Sequence, residues 1–238
     1  MHIFRDDIPG FLRYRLALGL ARSARALAKA VRSMGGKRNK FLRGRPTREP
    51  LPTASYAVEG QNTEPEYIGA LARSQKLGRR FQFVRSHSDP VSVVKELIVE
   101  KKKKQGRGEY CDNWIAVFDR EFSEERKESA RRARELAAKH GIMCIESSPA
   151  FEYWLRLHFS RDDRPYGSMD DLIADLRRFM PAYGKEAGNL SGQMDELLCR
   201  VETACENAAW VKDNGSFGNS TQMPELVALI DSMRDVPR

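Results

Sequence analysis

Residues 54–160 predict an α/β fold, a Rossmann-like parallel sheet of about four strands, with a basic N-terminal helix and arm before it and a helical appendage after it. Two observations carry this. Strand-like runs and helix-like runs alternate four times at intervals of 25–30 residues, which predicts parallel strands with helices on both faces. The strand runs are also continuously apolar rather than alternating, as strands buried on both faces are.

Ala54–Val58 is a short apolar run ended by Glu59-Gly60, and a helix follows over Glu64–Lys76. Phe81–Arg85 is a second strand. Asp89 caps the next helix, Pro90 occupies its first turn, and the helix runs into Lys101–Lys104. After the loop Gln105–Asp112, the third strand Asn113–Phe118 is halted by Asp119. Ser123 caps a charged helix through Lys139 in which Arg126 and Arg134 are expected on the solvated side, and Gly141 ends it before a fourth strand over Ile142–Ile145. Beyond residue 160 only helices are expected, near 168–181, 192–212 and 222–234, with a Gly/Asn/Ser loop over Asp213–Ser220. Three segments result: 1–50 basic helix and linker, 51–160 α/β domain, and 161–238 helical region.

Charge separates the first segment from the rest. The 238 residues carry 41 Lys+Arg against 33 Asp+Glu, a net charge of +8. Residues 1–50 hold 13 of those bases and three acids, so the arm is +10 and the remainder −2. Leu12, Leu16, Leu20, Leu27 and Val31 recur at helical spacing among arginines until Gly35-Gly36, and an aperiodic Gly/Pro/basic linker spans 36–53. Such an arm suits a polyphosphate, with Arg38, Lys40, Arg43, Arg45 and Arg48 as the candidate nucleic-acid contacts; the plainer role is a solubilising tail.

Several classes are disfavoured. No stretch reaches 18 uncharged apolar residues, so a membrane span is not expected. Cys111, Cys144, Cys199 and Cys205 form no C-x-x-C pair, and the four histidines no ligand spacing, so zinc is not expected and a reducing cytoplasm is the natural compartment. The N-terminus has no uninterrupted apolar core of the secretory type. There is no phosphate-binding G-x-x-x-x-G-K-[ST], and Gly106-Arg107-Gly108 lacks a third glycine and precedes a strand.

The acids are placed more tellingly. The first strand ends in Glu59-Gly60, the third in Asp119-Arg120-Glu121, and the fourth leads through Ser147-Ser148-Pro149-Ala150-Phe151 to Glu152. Ligands of open parallel sheets bind at the carboxyl ends of the strands, so these acids share one edge. Clustered carboxylates repel one another unless a cation neutralises them, and hard oxygen donors suit Mg²⁺ or Mn²⁺. Asp119 and Glu121, two apart on an extended segment, point the same way and can share one ion. Plainer roles stand beside this: Asp119 as a cap or turn residue, Glu121 as a solvated charge, and Glu152, Glu64 and Glu66 as complements to helix dipoles. His158 is either a packing residue or a supporting phosphate donor or proton shuttle. Arg156, four residues from Glu152, is positioned to pair with it.

The stretches Arg45–Pro50, Val58–Tyr67, Phe118–Glu121, Ser147–Phe159 and Asn219-Ser220-Thr221, in this order, resemble the RloB-like family over roughly residues 37–234. That family is similar to Toprim-fold proteins. The resemblance implies a metal-binding acidic edge in which Glu59 serves as general acid/base or metal ligand and Asp119 with Glu121 forms the acidic pair. Glu121 departs from the usual Asp-x-Asp by one methylene. Apart from the resemblance, the placement of the acids makes Glu152 a further candidate ligand, with Glu64 and His158 as candidate supporting residues. The resemblance also implies bacterial anti-phage defence, in abortive infection or near restriction-modification genes, often beside an ATPase partner. The expected activity is therefore a Mg²⁺- or Mn²⁺-dependent nuclease hydrolysing phosphodiester bonds in DNA or RNA. A non-catalytic nucleic-acid- or partner-binding subunit working with an ATPase is the alternative, and phosphoryl or nucleotidyl transfer a third.

Overall fold

The structure is a computed structural model that describes residues 50–86, 89–120, 122–184, 186 and 188–234. The chain divides into Met1–Glu49 and a compact unit beginning at Pro50. The expected helix over 9–34 and the five candidate arm contacts lie outside the described residues.

Four strands, β1 (Ala54–Val58), β2 (Phe81–Phe83), β3 (Asn113–Asp119) and β4 (Met143–Ser148), are parallel and lie in the order β2-β1-β3-β4. Between them run α1 (Thr63–Ser74), α2 (Pro90–Gly106) and α3 (Glu124–His140), the alternation expected of the α/β class. A fifth strand, β5 (Ser220–Thr221), pairs antiparallel with β4 at the edge, Ser147 opposite Thr221 and Ser148 opposite Ser220. The region beyond residue 160 is thus not helical only: after α4 (Phe151–Leu157), α5 (Met169–Leu176), α6 (Met194–Cys199) and α7 (Val201–Asn214) it returns a strand to the sheet before α8 (Met223–Arg234). The single helix expected over 192–212 is two, because Arg200 leaves helical geometry at φ −102°, ψ 9°.

Local chemistry sets the element ends. The Asp89 carboxylate accepts from the Ser92 N–H at 3.0 Å, and the Ser123 hydroxyl from the Arg126 N–H at 3.3 Å, satisfying N-terminal donors of α2 and α3. Gly141 ends α3 at φ 62°, a left-handed conformation that costs glycine nothing. On α3, Ala130, Ala133 and Ala137 line one stripe and pack with Val93, Val94 and Leu97 of α2 against Ala57, Trp114, Ala116 and Phe118. Alternation sends the buried Tyr56, Val58, Ile115, Val117 and Ile145 to the opposite face. There Tyr67 of α1 meets Phe151 and Trp154 of α4 edge-on, with ring centroids 5.7 and 6.3 Å apart. Among the described residues no helix is long and apolar enough to cross a membrane.

Candidate active site at the carboxyl edge of the sheet

Register places the ends of the central strands together. Val58 of β1 lies opposite Val117 of β3, and Asp119 opposite Ser147 of β4. Glu59 therefore emerges one residue beyond β1, its N–H donating to the Val117 carbonyl at 3.0 Å, while Asp119 closes β3. The two are joined directly: the Asp119 N–H donates to Oε2 of Glu59 at 3.2 Å. Glu59 is buried, at 6% exposure, although it carries a carboxylate at a strand end. A charge so placed requires partners.

Asp119 is the electrostatic centre. Burial pushes its carboxyl well above the usual range, and the charges of Glu64, Glu152 and Glu59, in that order, push it further. The Phe151 N–H, at the start of α4, hydrogen-bonds to it and opposes this only in part. The charges of three acids thus converge on Asp119 at the end of β3, from the residue after β1, from α1 and from α4. Each is delivered by the end of a parallel strand, by the turn after it or by the helix that turn begins, as the topology dictates.

Glu64 and Glu152 are held differently. The Glu64 carboxylate is folded over Gly60, in the space a Cβ would take, so the absence of a side chain at this turn lets Glu64 lie there. Glu152 is buried, and its Oε1 accepts from the Tyr183 hydroxyl at 3.0 Å. Burial and the neighbouring Glu152 charge drive the Tyr183 hydroxyl far up, so it remains a donor. Tyr183 also lies 3.5 Å from the Thr63 hydroxyl at the start of α1. Tyr183 comes from the chain after α5, and its part in the site is invisible to local pattern.

Arg126 is the second residue that pattern misses. It sits in the first turn of α3, and periodicity assigns it to a solvated face, yet its guanidinium Nη2 reaches Oε1 of Glu59 in an ion pair. Arg134, whose side chain is still 41% exposed as expected of the solvated side, also reaches the buried Glu146 at 2.7 Å. Helical spacing assigns a Cα to a face, but a long side chain at that face's margin reaches past it.

Arg156 does not pair with Glu152. Its Nε donates to Oδ2 of Asp175 at 2.5 Å, its Nη1 to the Ser160 hydroxyl at 2.8 Å, and Asp162 lies 3.7 Å away. Buried acids on α5 and the preceding loop outcompete the neighbour one turn away. His158 is fully buried: Nδ1–H donates to the Trp154 carbonyl at 2.9 Å, and Nε2 accepts from the Tyr67 hydroxyl at 2.8 Å. Burial depresses its pKa to about 4, so the ring is neutral with both nitrogens engaged. That is the packing role, with no nitrogen left for phosphate or proton transfer. Glu121 lies outside the described residues.

As the side chains stand, no group of three or more His, Cys, Asp and Glu residues among those described is gathered around a common metal position. The donor set nevertheless fits a hard divalent cation in its chemistry. All four groups are carboxylates, and the Arg126 guanidinium is paired with one of them, Glu59.

No curated protein and no solved structure matches the chain. The profile of the RloB-like protein family matches residues 56–230. That span begins within β1, ends within α8, and takes in Glu59, Glu64, Asp119, Glu152, Arg126 and Tyr183. The acidic edge is thus built wholly from the matched sequence, and the chain belongs to the RloB-like protein family.

Proposed function

We propose that the carboxyl edge of the sheet is the active site of a Toprim-like, Mg²⁺- or Mn²⁺-dependent nuclease acting on DNA or RNA in defence against phage. The observation that carries this is the pairing of Glu59 and Asp119 at the mouth of a parallel sheet, where burial first, and then Glu64, Glu152 and Glu59, drive the Asp119 carboxyl up. Strongly perturbed carboxyls of this kind cluster where chemistry is done, and the carboxyl ends of parallel strands are where ligands bind.

Glu59 and Asp119 would hold the divalent ion, with Glu152 as a further oxygen donor and Glu121 as the second member of the acidic pair. When bound, such an ion supplies charge stabilisation at phosphoryl oxygens and an activated water. The chain's own residues supply the rest. The Asp119 N–H fixes the Glu59 carboxylate, the Tyr183 hydroxyl fixes Glu152, and the Asp119 carboxyl, raised by burial and by its acidic neighbours, keeps its proton to higher pH than an ordinary carboxyl. Glu64, folded over Gly60, contributes charge that keeps that proton in place. Basic residues of the arm, Arg38 to Arg48, would bind the phosphate backbone.

The test is incubation of purified protein with DNA and with tRNA in Mg²⁺ or Mn²⁺. Metal-dependent cleavage lost in Glu59→Ala and in Asp119→Ala supports the assignment; cleavage that survives both removes it.

The Arg126–Glu59 ion pair favours a second reading, a non-catalytic nucleic-acid- or partner-binding subunit working with an ATPase, because it neutralises a would-be metal ligand from within. That reading predicts binding indifferent to divalent metal and no cleavage under any metal.

A further inference from the structure

Arg126 sits where local preference disfavours it. It occupies the first turn of α3, close to the positive end of the helix dipole, while its neighbours Glu124 and Glu125 obey the usual acidic preference there. Those neighbours and Lys127 are exposed, whereas Arg126 is half-buried. What it gains is the carboxylate of Glu59, whose side chain is only 7% exposed, against 26% for Arg126. A second acid, Asp89 at the cap of α2, also feels its charge. A residue that breaks a local rule and turns inward to a site is placed there by the site.

We propose that Arg126 is the resident counter-cation of the acidic edge, held on Glu59 so that a divalent ion must displace it to use that carboxylate. The inference rests on the metal-site reading above and adds a residue to it. One face of Glu59, Oε2, is fixed by the Asp119 N–H, and the other, Oε1, is taken by the guanidinium. A cation approaching Glu59 therefore meets a carboxylate already oriented but already neutralised. Mutual exclusion of two cations on one oxygen follows from charge alone. Metal occupancy is then set by a competition built into the fold, and Arg126 acts as a positioning residue. On release it remains at the same edge as a planar donor suited to phosphate oxygens.

The experiment is Mn²⁺ binding to the full chain, followed by electron paramagnetic resonance of the free ion. It compares wild type, Arg126→Ala, Arg126→Met, Glu59→Gln and, as a control on another ion pair of α3, Arg134→Ala, with circular dichroism to verify folding. Removing the competitor should tighten Mn²⁺ about tenfold in Arg126→Ala. Arg126→Met, which retains the aliphatic bulk without the charge, should do the same and stands in if the alanine variant does not fold. Arg134→Ala should leave the affinity unchanged, and Glu59→Gln should weaken it. Unchanged or weaker Mn²⁺ binding in both Arg126 variants, with Glu59→Gln still weakened, would overturn the competition while leaving the metal site standing. Absence of Mn²⁺ binding in wild type and Arg126 variants alike would instead remove the metal reading itself, and the competition with it.

Discussion

The Asp119 N–H donates to Oε2 of Glu59 at 3.2 Å, tying the end of β3 to the residue that follows β1. Through this bond the two acids form one unit, and a change at one carboxylate reaches the other. Burial and the charges of Glu64, Glu152 and Glu59 hold the Asp119 carboxyl up, while Arg126 pairs with Glu59 from the other side.

Asp119 lowers stability at neutral pH. Its carboxyl is raised in the folded state by burial and by Glu64, Glu152 and Glu59. A raised folded pKa contributes stability below the ordinary carboxylate range, and that contribution is lost as pH rises through the folded value. Asp119→Asn keeps an oxygen for the Phe151 N–H and removes the charge. It should raise Tm at pH 7.5, with little change at acidic pH, while abolishing activity. Parallel melting curves at the two pH values check this.

Glycine at position 60 matters for the site more than for folding. An added Cβ meets the far end of the Glu64 side chain, which can swing aside cheaply. Gly60→Ala should therefore shift Tm by less than about 3 °C yet lower the pKa of the Asp119 carboxyl, because the first-ranked charge acting on it moves away. Carboxyl titration by carbon NMR reads the shift directly.

His158 makes acid stability predictable. Its folded pKa is about 4 against an ordinary value of 6.5. The neutral ring is native, so stability is full above about 6.5 and falls as pH drops towards about 4, where the unfolded chain takes the proton. The loss is about 3 kcal/mol. Replacing the ring in His158→Gln should flatten that slope, and Tyr67→Phe should cost about 1–2 kcal/mol at pH 7.5 by leaving Nε2 unpaired. Urea unfolding across pH 4–7.5 measures both.

The buried ion pair of Arg156 and Asp175 ties α4 to α5. Asp175 is 6% exposed, Arg156 5%, and Arg164 together with Arg156 holds the Asp175 carboxyl down at about 2 against the opposing effect of burial. Asp175→Ala leaves the guanidinium with only the more distant Asp162 and the Ser160 oxygens, and should destabilise by about 3 kcal/mol. Chemical denaturation of the variant at neutral pH tests it.

Legibility in the sequence tracks the range of the interaction. β3 is readable as a near-continuous apolar run and β1 and β4 as short apolar stretches, β2 is only the short Phe81-Gln82-Phe83, and Asp89, Ser123 and Gly141 mark helix ends by local hydrogen bonding and backbone freedom. The acidic edge follows from topology, since parallel strands deliver their trailing residues to one side. β5 is not readable, because Ser220-Thr221 carries no apolar pattern and gains its strand character only from β4. Tyr183, Arg126 and the Arg156–Asp175 pair are hidden for the same reason: each depends on where a side chain ends, many residues from its partner. Glu152 pairs with Tyr183, 31 residues away, rather than with Arg156 on its own helix.

Processing of phosphodiesters at the edge around Asp119 with a divalent cation is tested most directly by single-turnover cleavage of end-labelled DNA and tRNA. The full chain is compared with Asp119→Asn, each with Mn²⁺ and with chelator. A metal-dependent nuclease site requires cleavage by wild type in Mn²⁺, none in chelator, and a loss of at least about 100-fold in Asp119→Asn despite its higher Tm. Equal cleavage by the two proteins, or no cleavage by wild type under any divalent metal, would contradict it.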